Sequence, residues 1–318
     1  MKLIITIDTE EDNRDNYISS GYTLNNLKKI SNLQELFDEF GVRPTYLITY
    51  PVATDEAAIS MFRYFLEEGR CEIGTHCHPW NTPPFEEETS QWNSMLCNLP
   101  VDLQLRKLTT LHETIIRNFG ITPISFRAGR WGYSGDVAVN LHKLGYKVET
   151  SVTPYTNWTN YGGPDFSDYS PNPFRFSSSN AFSPSNNGQM LQVPVTIGFL
   201  QKNFTRTNSI IKMAGKRPLK SLRVIGILSR LGFANKVWLS PEVALSEEMI
   251  RLSQRMFETG YPILNFVFHS TSLKAGIGPF VKTEEDERRF LQTIREFLVF
   301  IRNAGIPSIK LSEAYSLI

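Results

Sequence analysis

Long hydrophobic runs, a cysteine framework and a large net charge of either sign are all missing from this chain of 318 residues. No stretch of about 18 apolar residues occurs, so no membrane-spanning helix is expected. Three cysteines do not make a disulfide framework in a chain of this length. Lysine plus arginine number 33 and aspartate plus glutamate 32, a formal charge of +1. A dedicated nucleic-acid-binding protein is usually clearly basic, so no nucleic-acid partner is expected. The opening run Lys2-Leu3-Ile4-Ile5-Thr6-Ile7 turns acidic at Asp8, too early for a secretory signal, and the expected location is cytoplasmic. No Gly-x-Gly-x-x-Gly follows that run, which argues against a dinucleotide-binding fold. Histidine is also scarce, at five residues, and scarcity makes its placement informative.

Apolar residues make up 41% of the chain and charged residues 20%, enough to bury a large core. Short β-rich runs alternate with stretches of helical period. Strands are expected at 2–7, 43–49, 71–76, 123–127, 145–151, 191–197, 262–268 and 307–311, and helices at 24–40, 55–68, 101–119, 134–144, 242–259 and 283–304. Within the last helix Phe290, Ile294, Phe297, Leu298 and Ile301 form one stripe, behind a first turn of Glu284, Glu285 and Asp286 that the helix dipole favours. Such alternation points to an α/β fold, either a parallel sheet closed into a barrel or a doubly wound open sheet. Residues 155–190, rich in Asn, Ser, Pro, Gly and aromatics, read as a long irregular insertion. The expected organisation is one domain over 1–318, with 155–236 as its insertion-rich region.

In a parallel barrel the chemistry gathers where strands end. Asp8, Glu10, Glu11 and Asp12 follow the first strand, His76 and His78 the third, Arg127, Arg130 and Trp131 the next, then Glu149, and His269 ends the run Leu264–Phe268. Three of the five histidines therefore fall at strand ends. In extended backbone His76 and His78 point to one side and Cys77 to the other. Two imidazoles with a carboxylate from Asp8 or Glu10 would hold a divalent cation, zinc being the expected one, with a position left open for water. Cys77 as a ligand is the weaker alternative. Each residue also has a plainer reading: the acids as a helix cap, Arg127 and Glu149 as ordinary strand-end charges, His269 as a structural residue. His112 and His142 fall within helices and receive no role. Trp80, Trp131 and Trp158 are core or lid, and aromatic faces suit sugar rings.

Five segments in order then carry a resemblance: Thr6-Ile7-Asp8-Thr9-Glu10, Glu72-Ile73-Gly74-Thr75-His76-Cys77-His78-Pro79-Trp80, Phe126-Arg127-Ala128-Gly129-Arg130-Trp131, the stretch around Val148–Pro154, and Phe266-Val267-Phe268-His269. The chain resembles the NodB-homology polysaccharide deacetylases, carbohydrate esterase family 4 and its relatives, in a divergent bacterial branch. The resemblance implies a deformed (β/α)₇-type barrel and metal-dependent removal of an acetyl group from an N-acetylated sugar in a polysaccharide or glycolipid. It implies Asp8 as general base, Arg127 as the group that orients it, and His269 as general acid. Glu10, His76 and His78 would hold the metal, and Trp80, Arg130, Trp131 and Glu149 would line the substrate site. The chain departs from the family pattern at three places. Thr9 stands where the family has a metal-binding aspartate, with Glu10 the nearest replacement. His78 follows His76 by two residues instead of four. Ala128, Gly129 and Arg130 replace the Pro-Pro-aromatic sequence after the family arginine. Two other readings remain: a C–N hydrolase acting on a non-sugar amide, and a degenerate barrel that binds glycan without turnover.

One segment stands apart in charge. No acidic residue occurs from Tyr169 to Pro241, while 202–236 carries Lys202, Arg206, Lys212, Lys216, Arg217, Lys220, Arg223, Arg230 and Lys236 among apolar residues. Such a segment suits an anionic membrane or a lipid-linked substrate, or packs on the barrel as a solvated insertion.

Overall fold

The computed structural model describes residues 1–12, 16–215 and 232–318. In chain order the elements are β1 (Lys2–Thr9), α1 (Ile30–Glu39), β2 (Thr45–Ile48), α2 (Tyr50–Thr54), α3 (Glu56–Glu67), β3 (Glu72–Cys77), α4 (Val101–Phe119), β4 (Ser125–Ala128), α5 (Gly135–Lys143) and β5 (Val148–Glu149). There follow β6 (Phe174–Phe176), β7 (Met190–Gln192), β8 (Ile197–Phe199), α6 (Phe204–Ala214), β9 (Lys236–Trp238), α7 (Ser246–Glu258), β10 (Ile263–His269) and α8 (Glu284–Asn303).

The strands are apolar because both faces of the sheet are covered: β1 is buried from Leu3 onward and β10 from Ile263 to Phe268. The main sheet runs β10-β1-β2-β3-β4-β5-β7-β6. All neighbours pair in parallel except β6, which lies antiparallel on β7 at the edge. The seven parallel strands with their helices make a deformed (β/α)₇ barrel. Helix packing follows from sequence. Asp55 caps α3 by accepting from the Ala58 amide at 2.8 Å, and Phe62 and Phe65 turn inward from it. Thr283 and Asp286 form a capping box that starts α8.

Asn265 draws the two ends of the curled sheet together from the middle of the apolar β10. Its backbone N–H donates to Thr196 Oγ1 at 2.8 Å, and the Thr196 amide donates to its carbonyl at 3.1 Å. Its side-chain amide donates to Thr150 Oγ1 at 2.8 Å while its Oδ1 accepts from Thr6 Oγ1 at 3.0 Å. A wholly buried asparagine satisfied on every side in this way fixes where β10, β1 and the end of β5 meet.

The structure revises several sequence-based boundaries. The run 191–197 is two strands: β7 stays in the barrel, while β8 pairs antiparallel with β9 in a separate ribbon. Pro194 lies between them and has no N–H to continue a ladder. Residues 307–311 form an isolated bridge, Leu3 to Ser308, instead of a strand. The helix expected from residue 242 begins at Ser246, because Leu245 just ahead of it is extended, at φ −74° and ψ 157°. The stretch 155–190 is largely irregular but includes β6 and a 3₁₀ turn at Thr159–Tyr161. Of the basic segment, Lys216, Arg217, Lys220, Arg223 and Arg230 lie outside the described residues. Lys212, within α6, pairs with Asp168 at 2.7 Å. Among the described residues no helix is long and apolar enough to cross a membrane.

Candidate active site

Strand register brings the polar strand ends together. Asp8 lies level with His269 across β1 and β10, and His76 level with Arg127 across β3 and β4. Alternation along β1 turns Asp8 and Glu10 to one side, while Thr9 turns away and donates to the Ile7 carbonyl at 3.0 Å. Glu10 continues in that direction just past the strand, its N–H donating to Ser270 Oγ at 3.1 Å.

Glu10, His76 and His78 form one buried group whose ligand atoms lie within 4.8 Å of one another. His78 Nε2 is 3.4 Å and His76 Nε2 3.9 Å from Glu10 Oε2, and the two Nε2 atoms are 3.0 Å apart. The remaining ring nitrogens explain which lone pairs face inward. His76 Nδ1 lies 3.1 Å from the Arg127 carbonyl oxygen, an acceptor only, so Nδ1 carries the proton and Nε2 the lone pair. His78 Nδ1 lies 3.1 Å from Glu11 Oε1, with the same consequence. Burial, the largest influence on His76, keeps that ring neutral and brings its pKa down to about 3, against the pull of the Asp8 carboxylate. Two imidazole Nε2 atoms and a carboxylate oxygen converging in a buried pocket are the donor set that a divalent metal takes, so these residues fit one.

Glu11 does more than the acidic run alone indicated. Besides His78 it accepts from Trp80 Nε1 at 3.3 Å and from Thr49 Oγ1 at 3.2 Å. Burial pushes its pKa up, but the adjacent His78 outweighs that and the carboxyl is held below its ordinary range. Trp80 stacks on His78 with ring centroids 4.1 Å apart, so it is a wall of the ligand as much as of the cleft. The segment after His78 is held by the buried Lys107, whose ammonium donates to the carbonyls of Pro79, Thr82 and Pro84 at 2.9, 2.7 and 2.7 Å and pairs with Glu87 at 2.8 Å.

The altered spacing of His78 has a steric counterpart. At Gly129 a Cβ would overlap the His78 ring at Cδ2 and come 2.8 Å from the Cys77 carbonyl oxygen. The His78 imidazole thus occupies room that only glycine leaves, in the sequence where the family pattern of Pro-Pro-aromatic is absent.

On the other side of the cluster, Arg127 is wholly buried and donates to Asp8 Oδ1 at 2.6 Å, Thr6 Oγ1 at 2.7 Å and the Thr150 carbonyl at 3.1 Å. Burial raises the Asp8 pKa, but the Arg127 guanidinium, with His76 and His269, outweighs it and holds the carboxyl well below the usual range. His269 Nε2 is 3.6 Å from Asp8 Oδ2. Its Nδ1 faces Glu242, 3.0 Å from Oε2 and 3.1 Å from Oε1, and its backbone N–H donates to Glu242 Oε1 at 3.0 Å. Ser272 Oγ donates to the same carboxylate at 2.5 Å.

A cleft of about 250 Å³ joins these groups, lined by Asp8, Glu10, His76, His78 and His269 on its floor and by Trp80, Arg130, Trp131, Trp158 and Tyr161 on its walls. Arg130 and Trp131 reach it from left-handed backbone, at φ of 51° and 62°. Glu149 is the expected site residue that the structure places elsewhere. Its carboxyl is wholly buried at the end of β5, accepts from the Ser151 amide at 2.8 Å, and does not line the cleft. Alternation explains the difference, since along 148–150 it is Thr150 that faces Arg127.

The fold is the α/β barrel seen in solved structures of polysaccharide deacetylases. Among solved structures the chain is similar to a glycoside hydrolase/deacetylase from Parabacteroides distasonis, at TM-score 0.59 and 13% identity over 99% of this chain and 71% of that one. It is similar to a protein described as a polysaccharide deacetylase from Mycobacterium smegmatis, at TM-score 0.56 and 13% identity over 100% and 90%. A 4-alpha-glucanotransferase from Thermococcus litoralis also matches, at TM-score 0.56 and 13% identity, over 100% of this chain but 40% of the larger protein. No family model and no curated protein matches the chain.

Proposed function

We propose that the protein is a metal-dependent hydrolase that removes the acetyl group from an N-acetylated sugar of a polysaccharide or glycolipid. The observation that carries this reading is the convergence of three parts in one aromatic-walled cleft: the Glu10–His76–His78 donor set, the Arg127-bound Asp8, and the Glu242-bound His269. Zinc is the favoured cation for two imidazoles and one carboxylate.

An amide carbonyl is a poor electrophile and neutral water a poor nucleophile; Glu10, His76 and His78 would hold a divalent cation, which when bound would polarise the first and acidify the second. Asp8 takes the proton of the attacking water. Arg127 keeps that carboxylate ionised and aimed, and its further bonds to Thr6 and Thr150 prevent it from following the charge. His269 lies on the opposite flank of Asp8 and delivers a proton to the departing nitrogen. Glu242 fixes the His269 ring with Nδ1–H toward itself, which leaves Nε2 facing the cleft. Each such proton transfer typically contributes about 10²–10⁴ in rate. Trp80, Trp131, Trp158 and Tyr161 supply aromatic faces for the sugar ring. The reading includes an encounter with an anionic or lipid-linked glycan through Lys202, Arg206 and the rest of the basic segment 202–236, where no acidic residue stands.

The test is acetate release by zinc-loaded protein from a panel of N-acetylated sugars and small non-sugar amides. Turnover on sugars, abolished by a chelator and restored by zinc, is the expected result. Turnover confined to the small amides, or bound zinc with no acetate from any substrate, would sink it.

A further inference from the structure

We propose that Trp80 is a positioning residue of the metal centre: with Glu11 it holds the His78 imidazole, so that one wall of the cleft and the cation site form a single unit. This rests on the metal-dependent reading above and not on the identity of the substrate.

The need for such a support follows from where His78 stands. His76 lies within β3, level with Arg127 on β4. His78 follows Cys77, the last residue of β3, and lies outside the strand pairing. Its ring turns about two side-chain bonds, so its direction is set by what packs on it. Three supports close on that ring. Glu11 Oε1 accepts from Nδ1–H at 3.1 Å. The Trp80 indole covers a face, its centroid 4.1 Å away and its plane inclined by 25°. Gly129 leaves room for the Cδ2 edge. What remains is Nε2, which faces Glu10 Oε2 at 3.4 Å.

Trp80 is itself fixed. Pro79 opens a 3₁₀ turn over Pro79–Asn81, and the Thr82 N–H behind it donates back to the His78 carbonyl at 3.1 Å. That turn lays the indole over the imidazole two residues before it. The indole N–H donates at 3.3 Å to Glu11 Oε1, the same oxygen that takes His78 Nδ1–H. Tyr17 packs on the indole with ring centroids 5.1 Å apart, and the Lys107 ammonium holds the Pro79 carbonyl at 2.9 Å. One carboxylate oxygen therefore ties the two stacked rings, and a shift of either draws on the hydrogen bond of the other. Exposure separates this role from sugar binding alone. Trp80 is 5% exposed, whereas Tyr161 on the same cleft is 51% exposed. Nearly all of the indole surface is spent within the protein.

The test measures the zinc affinity of the full chain, without substrate, by competition with a chromophoric chelator. Trp80 offers the cation no donor atom, yet Trp80→Leu is expected to weaken zinc binding about tenfold, as loss of a group that orients a metal ligand does. Trp80→Phe keeps a flat ring on His78 and is expected to stay within about threefold of the wild type. Lost core volume alone would not give that rescue, because leucine and phenylalanine are both smaller than tryptophan. Glu11→Gln is expected to lose about 10–100-fold. The double variant Glu11→Gln, Trp80→Leu is expected to lie within about threefold of Glu11→Gln, because both changes free one ring. Equal zinc affinity in the leucine and phenylalanine variants, or losses that multiply in the double variant, overturns the proposal. A wild type that holds no zinc against the chelator sinks the metal-dependent reading and this inference with it. Zinc held equally by the wild type and Trp80→Leu sinks this inference alone.

Discussion

The two flanks of the cleft are built on different principles. The flank that would hold the metal is made at the ends of two parallel strands, β1 and β3, with β2 between them, and the side chains of Glu10, His76 and His78 are 0–3% exposed. The two imidazoles are held by the barrel itself, His76 through the Arg127 carbonyl and His78 through Glu11 in the room that Gly129 leaves. The proton flank sets the barrel residues Asp8 and His269 side by side, but Glu242, the partner of the 18% exposed His269, comes from a turn ahead of α7. Its further walls come from the β8–β9 ribbon and from Trp158 in the irregular stretch. A sheet fixes positions through backbone register, whereas turns and ribbons fix them only through tertiary packing. The metal flank is thus the rigid half, and the proton flank is where specificity is free to vary.

The sharpest way to break this comparison is to remove a ligand. His78→Ala is expected to lose the metal and to lower turnover about 10³-fold, the several kcal/mol that carbonyl polarisation supplies. Gly129→Ala replaces no ligand residue, yet its Cβ overlaps the His78 ring at Cδ2 and comes 3.1 Å from Nε2, and a loss of about 10–100-fold in zinc affinity is expected. Elemental analysis after dialysis, together with acetate release, reads both. Stoichiometric zinc in His78→Ala would show that the donor set lies elsewhere.

The opposite flank predicts a different signature. Glu242→Gln leaves the metal ligands untouched and frees the His269 ring, so kcat falls about 10–100-fold with zinc content and KM near the wild-type values. A parallel fall in zinc would mean that the two flanks are one unit and that the comparison is wrong.

Legibility from sequence divides along the same line. Short apolar runs that end in polar residues are local signals, and they mark the strands and the candidate donors with the carboxylate left open between Asp8 and Glu10; the seven-stranded barrel and the pairing of Asp8 with Arg127 come from the resemblance. Glu242 was invisible as a partner of His269: it stands 27 positions before it, in a turn that periodicity assigns to a helix. Gly129 could have been suspected from the missing bulky residues beside an early second histidine, but only packing reveals the overlap. Asn265 broke an apolar run, and that single polar residue was the available signal for a barrel seam. The division of 191–197 into β7 and β8 was foreshadowed by Pro194. Glu149 misled because a charge at a strand end looks alike whether it faces the cleft or the core.

Glu149 also gives the smallest and most specific test, since it lies at the end of β5 and lines neither flank. Burial raises its pKa from the ordinary 4.5 to about 7, although Ser151 and Gln192 pull the other way. Below about pH 4.5 the carboxyl is protonated in both folded and unfolded chains and contributes no pH dependence. Between about 4.5 and 7 the unfolded chain ionises first, so stability falls as pH rises, and above 7 the loss levels off. The full cost is up to about 3 kcal/mol. Glu149→Gln cannot ionise, and its amide NH₂ enters a pocket where Tyr133 Oη and Gln192 Oε1 are buried without a hydrogen-bond partner. The variant is therefore expected to match the wild type in Tm near pH 4.5 and to exceed it by several degrees at pH 8. Turnover per zinc is expected to stay within about threefold, because the carboxyl does not reach the cleft. A Tm difference that does not change with pH would mean that Glu149 is ionised in the folded protein. A large loss of turnover at full zinc would return it to the substrate site.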